Sequence, residues 1–145
     1  MSDITALVPT SVWTFFDQIT KIPRPSKKEG KIRAFLIDFA KKHHLDYRQD
    51  AAGNVLIRKP AYPGCEEWPG VILQSHMDMV CEKNSEVNFD FEKDPIRVRI
   101  DEGWVKAEGT TLGADCGIGM AAQLAVLAAK DIQHGPIECL FTVDE

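Results

Sequence analysis

Along the first third of the chain, apolar residues recur at the three-and-four spacing of an amphipathic helix, twice in succession. Pro9-Thr10-Ser11 opens the first run as a cap, and Val12, Trp13, Phe15, Phe16 and Ile19 mark its apolar face. Ile22-Pro23-Arg24-Pro25 closes it, because proline lacks the amide hydrogen that continuation needs. Ser26-Lys27-Lys28-Glu29 then carries the capping-box pattern, in which a hydroxyl and a carboxylate exchange hydrogen bonds with free backbone amides. Behind it Ile32, Phe35, Leu36, Phe39 and Ala40 define a second helix reaching about His43-His44. Those two imidazoles are expected as favourable cations at the negative helix end.

The period then changes to two. Leu45-Asp46-Tyr47-Arg48-Gln49 alternates, Asp50 to Asn54 turns, and Val55-Leu56-Ile57-Arg58 returns, which predicts a hairpin. A second hairpin is expected where Ile96 to Ile100 and Trp104 to Lys106 flank Asp101-Glu102-Gly103. Val71 to Gln74 and Ile137 to Val143 are nearly continuous apolar runs, the pattern of inner strands covered on both faces. If the sheet continues beyond Glu145, the strand from Ile137 is expected to lack a neighbour and expose an edge. Between these runs a glycine-rich loop, Gly109 to Gly119, enters an alanine-rich helix extending to Lys130. Helices alternating with strands predict a single α/β domain over residues 1–145, with no repeat, linker or low-complexity tract.

Composition narrows the function classes. With 145 residues and 44% hydrophobic content the chain can bury a real core. A net charge of −5 argues against a nucleic-acid surface, and the lysine pairs at 27–28 and 41–42 read as solvated helix faces. Met1-Ser2-Asp3-Ile4 lacks the basic start and apolar core of a secretory signal. The longest apolar-rich stretch, 118–129, is too short to cross a bilayer, so no membrane partner is expected. Cys65, Cys81, Cys116 and Cys139 show no C-x-x-C spacing, which points to reduced thiols and a cytoplasmic location.

The chemistry gathers where strands end. His76 and Asp78 terminate the run Val71-Ile72-Leu73-Gln74-Ser75, and side chains two apart on an extended backbone share a side. Asp115 sits in the glycine loop before a helix, and Asp144-Glu145 follow the last strand. In open α/β sheets such strand ends form the ligand edge. A borderline cation such as zinc needs imidazole and carboxylate donors from separate segments. Gly113, Gly117 and Gly119 match neither the phosphate-binding nor the dinucleotide pattern, and Asp115 among them would repel a phosphate. They are better explained by close backbone approach to a metal-bound carboxylate and by tight packing of the next helix. Cys116 lacks an adjacent histidine to activate it, and His134 in His134-Gly135-Pro136 reads as part of a turn.

Ser75-His76-Met77-Asp78-Met79-Val80, Gly113-Ala114-Asp115-Cys116-Gly117-Ile118-Gly119 and Thr142-Val143-Asp144-Glu145 occur in the order and approximate spacing of the co-catalytic zinc metallopeptidases. Together with Ile22-Pro23-Arg24-Pro25-Ser26, they most resemble the branch of that family that cleaves dipeptides, aminoacyl-histidine ones included. The resemblance covers essentially the whole chain. It implies a three-layer α/β/α sandwich of zinc-peptidase type, of which residues 1–145 form the N-terminal part of the catalytic domain. It further implies a pair of zinc ions, with manganese or cobalt as possible substitutes, and a homodimer at full length.

By the same resemblance His76 matches a zinc ligand and Asp115 the carboxylate bridging both ions. Asp78 matches the carboxylate that holds the His76 imidazole in its ligating tautomer. Glu145 matches the general base that takes the proton of the attacking water. A second Glu after Glu145, a later Asp and a distant His complete the family's ligand set and lie outside these residues. Residues 1–145 alone are therefore expected to bind zinc weakly and to be inactive. The alternatives are a tripeptidase, carboxypeptidase or other amidohydrolase of the same family, or a non-catalytic binding module retaining the fold. Intact His76, Asp115 and Glu145 speak against the module.

Overall fold

A computed structural model describes residues 3–145. After a short 3-10 turn at Ile4–Ala6, helices α1 (Thr10–Thr20) and α2 (Gly30–Lys42) form where the apolar spacing places them. Their caps differ from expectation. Neither Thr10 nor Ser11 caps α1, whose N-cap residue is Pro9 without a side-chain bond. Ser26 and Glu29 form no capping box at α2: Ser26 bonds the distant Asp78, and Glu29 Oε1 accepts from the local Lys27 amide at 3.0 Å and from the distant Asp144 amide. His43 lies tilted on the Phe39 ring at a centroid distance of 4.3 Å. Burial, followed by the neighbouring lysines, lowers its pKa, so it is a poorer helix-end cation than the sequence implied.

Both hairpins form. Strands β1 (Asp46–Gln49) and β2 (Val55–Lys59) pair antiparallel, as do β4 (Val98–Asp101) and β5 (Trp104–Ala107). In the first, Asp50 Oδ1 accepts from the amides of Gly53 and Asn54, each at 2.9 Å, which fixes the turn. Gly53 has φ +100, a left-handed conformation that any side chain at this position would strain.

The main sheet runs β1-β2-β6-β3, with β3 at Val71–His76 and β6 at Ile137–Thr142. β6 pairs antiparallel with β2 and parallel with β3, placing Ser75 opposite Phe141 and His76 opposite Thr142. Parallel pairing requires a long crossover, and here it carries the β4–β5 hairpin and α3 (Ala114–Ala128). The strand from Ile137 thus has neighbours on both sides, and β1 and β3 are the edges of this sheet among the described residues.

One face of the sheet is the core. Val55, Ile57, Cys139 and Phe141 are fully buried against Ile32 and Leu36 of α2 and Met120 and Leu124 of α3. Gln123 of α3 is buried yet satisfied: it accepts from the Ser75 hydroxyl and donates to the carbonyl of Leu73 at 2.9 Å. Lys59 Nζ donates to the carbonyls of Val126 and Ala129, closing the C-terminal end of α3. On the opposite face Leu56, Ile72 and Leu140 stand outside the core cluster, and Ile72 is 69% exposed. The expected double coverage of β3 and β6 is therefore not met: the described residues supply the sheet and one helical layer of the sandwich.

All four cysteines are free. Burial pushes the Cys139 thiol up to about 12. Cys139 is expected to resist iodoacetamide at about pH 8 in the folded chain and to react once urea unfolds it. Mass-mapped labelling of folded Cys139 at a free-thiol rate would contradict this burial.

Candidate active site

β3 ends at His76, and its ladder continues one step further through Met77 N–H, which donates to the Thr142 carbonyl at 2.7 Å. The backbone then turns so that the Asp78 carbonyl oxygen lies 2.9 Å from His76 Nδ1 and Asp78 Oδ1 lies 3.3 Å from it. Both oxygens are acceptors, so Nδ1 carries a hydrogen and Nε2 is the ring nitrogen that faces Asp115. Nε2 lies 3.0 Å from Asp115 Oδ1. A ring nitrogen and a carboxylate oxygen at that distance are held together by a shared proton or by a cation between them. The donor set, imidazole plus carboxylate, suits a borderline divalent ion.

Asp115 reaches this point through irregular backbone. Gly113 has φ +74, and Asp115 and Cys116 at the start of α3 have non-helical dihedrals. The Asp115 side chain is 96% exposed, free to meet a ligand. His76, Asp115 and Cys116 form the one group of potential metal donors found among the described residues, their ligand atoms within 4.8 Å of one another. Cys116 was not anticipated there.

Asp78 joins the two halves of the site. Its side chain is almost fully buried. Oδ2 accepts from the Ser26 hydroxyl at 2.5 Å and Oδ1 from the Glu145 amide at 3.2 Å. Burial pushes the carboxyl up, but the Ser26 hydroxyl, backbone amides and the His76 imidazole together outweigh it, and the pKa is held below the usual carboxylate range. Asp78 is thus an anion beside Nδ1.

The turn after β6 is held one amide at a time. Val143 N–H donates to Asn54 Oδ1 at 2.9 Å, Asp144 N–H to Glu29 Oε1 at 2.9 Å, and Glu145 N–H to Asp78. Three acceptors from three segments therefore define where Glu145 starts. His76, Asp78, Asp115 and Glu145 all line a single cavity of about 340 Å³, open to solvent. Of the residues singled out from the sequence, Asp144 does not join them: it lines a neighbouring cavity with Glu29 and Arg33, and His134 lies elsewhere, bonded to the Gly135 carbonyl. Asn54, Glu29 and Ser26 were not recognised as part of the site, nor was Arg24, whose guanidinium lies beneath it.

Residues 72–145, the segment carrying His76, Asp115 and Glu145, match the family model of peptidase family M20/M25/M40. The chain belongs to that family. A curated member, the cytosol non-specific dipeptidase of Escherichia coli K12, is 48% identical over all 145 residues. The crystal structure of the aminoacylhistidine dipeptidase of Vibrio alginolyticus superposes on 99% of the chain with a TM-score of 0.97 at 53% identity. A tripeptidase of Staphylococcus aureus superposes on 93% with a TM-score of 0.75 at 25% identity. The chain spans 30% of the length of the E. coli relative, 29% of the Vibrio chain and 36% of the tripeptidase. The α/β fold is therefore that of M20 peptidases. No helix of the described residues is long and apolar enough to cross a membrane.

Proposed function

We propose that these residues are the N-terminal part of the catalytic domain of a metal-dependent dipeptidase, cleaving Xaa-His and other dipeptides. The observation that carries the reading is the approach of His76 Nε2 to Asp115 Oδ1, with Nδ1 already committed to Asp78. His76 and Asp115 would hold the metal, zinc by preference with manganese or cobalt as substitutes, and Asp115 would bridge a pair of ions. His76 and Asp115 alone fall short of a closed four-donor set; Cys116 Sγ lies within reach of them, and further donors would complete the site. A metal bound there supplies Lewis acidity toward the scissile carbonyl and lowers the pKa of water.

The protein's own groups then have defined tasks. Asp78 keeps Nδ1–H in place and the ring oriented. Glu145, presented into the cavity by its anchored amide, accepts the proton of the attacking water and returns it to the leaving amine. Dipeptides are preferred over tripeptides because the dipeptidase relatives share about half of all positions and the tripeptidase only 25%. The full-length protein is proposed to act in the cytoplasm as a homodimer, and residues 1–145 alone to bind zinc weakly without hydrolysing peptides.

The test is dipeptide hydrolysis by purified full-length protein. Cleavage is expected to stop when a chelator removes the metal, to return with zinc, and to be slower on tripeptides. Cleavage that survives metal removal would overturn the metal reading; faster tripeptide turnover would overturn the substrate class.

A further inference from the structure

Arg24 is the largest fully buried side chain described, at 1% exposure, and it lies directly beneath the candidate site. Burying a guanidinium is unfavourable unless its N–H groups find partners, so an apolar side chain would fill the same space with less desolvation. The partners here are carbonyl oxygens. Nη1 donates to Met77 at 3.0 Å and to Asp78 at 3.1 Å, and Nη2 donates to Gly113 at 2.5 Å. The first pair belongs to the turn immediately after His76. The third belongs to the loop two residues before Asp115. The Asp78 carbonyl is shared, since it also receives His76 Nδ1–H.

Two further features fit the guanidinium into this position. Met79 N–H donates to the Arg24 carbonyl at 3.1 Å, so backbone and side chain of Arg24 both grip the same turn. A Cβ on Gly113 would lie 2.6 Å from Nη2, and one on Gly117 would lie 2.7 Å from it. Those glycines leave room for the guanidinium, a more specific reason than close approach to a metal-bound carboxylate.

We propose that Arg24 is a positioning residue that sets the separation of His76 and Asp115 by tying the turn after β3 to the loop before α3. It touches neither substrate nor metal. It acts through three carbonyls whose chains carry the two ligands, and a planar fork reaches such divergent acceptors where a single ammonium cannot. The inference rests on the metal-binding reading of His76 and Asp115.

The experiment measures Co²⁺ and Zn²⁺ affinity by titration, and the visible spectrum of the Co²⁺ form, in full-length wild type, Arg24→Lys and Arg24→Met. Circular dichroism confirms that each variant is folded. Residues that orient metal ligands are worth about 10- to 100-fold in metal affinity. Arg24→Met is expected to lose that much, and Arg24→Lys, which keeps the charge but not the fork, about tenfold, each with an altered Co²⁺ spectrum. A Gly117→Ala variant is expected to weaken binding in wild type, by displacing Nη2, and to add little in Arg24→Met. If Arg24→Met does not fold, Arg24→Lys and Gly117→Ala still decide. Variants that fold and bind both metals within twofold of wild type with an unchanged spectrum would overturn the role of Arg24 alone. A wild type that binds neither metal would overturn the metal site as well.

Discussion

Glu145→Gln in the full-length protein is expected to lower kcat for dipeptide cleavage by about two to four orders of magnitude, the usual worth of a positioned general base. KM and metal content are expected to change little. Gln matches Glu in shape, and the contact that places residue 145 is its backbone amide on Asp78, which the substitution leaves intact. The change therefore removes proton acceptance and spares the fold. Steady-state kinetics together with elemental analysis of the purified variant check it. A fall of less than tenfold would remove Glu145 from proton transfer. A fall accompanied by metal loss would make it a ligand instead of a base.

The residues that carry this chemistry could be picked out beforehand because each sits where a local pattern breaks: His76 and Asp78 end an apolar run, Asp115 interrupts a glycine loop, and Glu145 follows a strand. The residues that hold them in place could not. Arg24 bonds to carbonyls 53, 54 and 89 positions away, Asn54 to an amide 89 away, and Glu29 to one 115 away. Such contacts involve backbone atoms that every sequence possesses, so nothing in the partner segment identifies them. Ser26 and Glu29 are more instructive still. Their types and spacing fit a capping box, yet the same hydroxyl and carboxylate serve Asp78 and Asp144 in the folded chain. A capping pattern identifies hydrogen-bonding capacity, and tertiary structure chose the partner.

The same limit applies to the strands. Alternation located both hairpins within a residue or two, because the pleat puts successive side chains on opposite faces. A continuous apolar run carries no such phase. Val71 to Gln74 and Ile137 to Val143 looked alike, yet β6 is central and β3 lies at an edge with Val71 and Ile72 half or more exposed. Which face of an apolar strand is packed depends on what else the chain provides.

That asymmetry gives the largest expected stability effect. Phe141 and Leu140 are neighbours on β6 and point to opposite faces. Phe141 is fully buried, placed between Val55 of β2 and Ser75 of β3, and belongs to the core beneath α2 and α3. Truncation to alanine removes most of an aromatic side chain from a packed site and is expected to destabilise residues 1–145 by about 3–5 kcal/mol. That is a large share of the roughly 5–15 kcal/mol typical of a whole domain. Leu140→Ala, on the face that the described helices do not cover, is expected to cost about 1 kcal/mol or less. Urea denaturation of the two variants beside the parent chain measures both. Equal losses would mean that the face bearing Leu56, Ile72 and Leu140 is packed in solution. The consequence reaches the site, because the residue after Thr142 begins the run of amides captured by Asn54, Glu29 and Asp78. A strand loosened at Phe141 carries Glu145 away from its anchors, so hydrolysis by the full-length Phe141→Ala protein should fail at a lower urea concentration than in wild type, in step with the loss of structure.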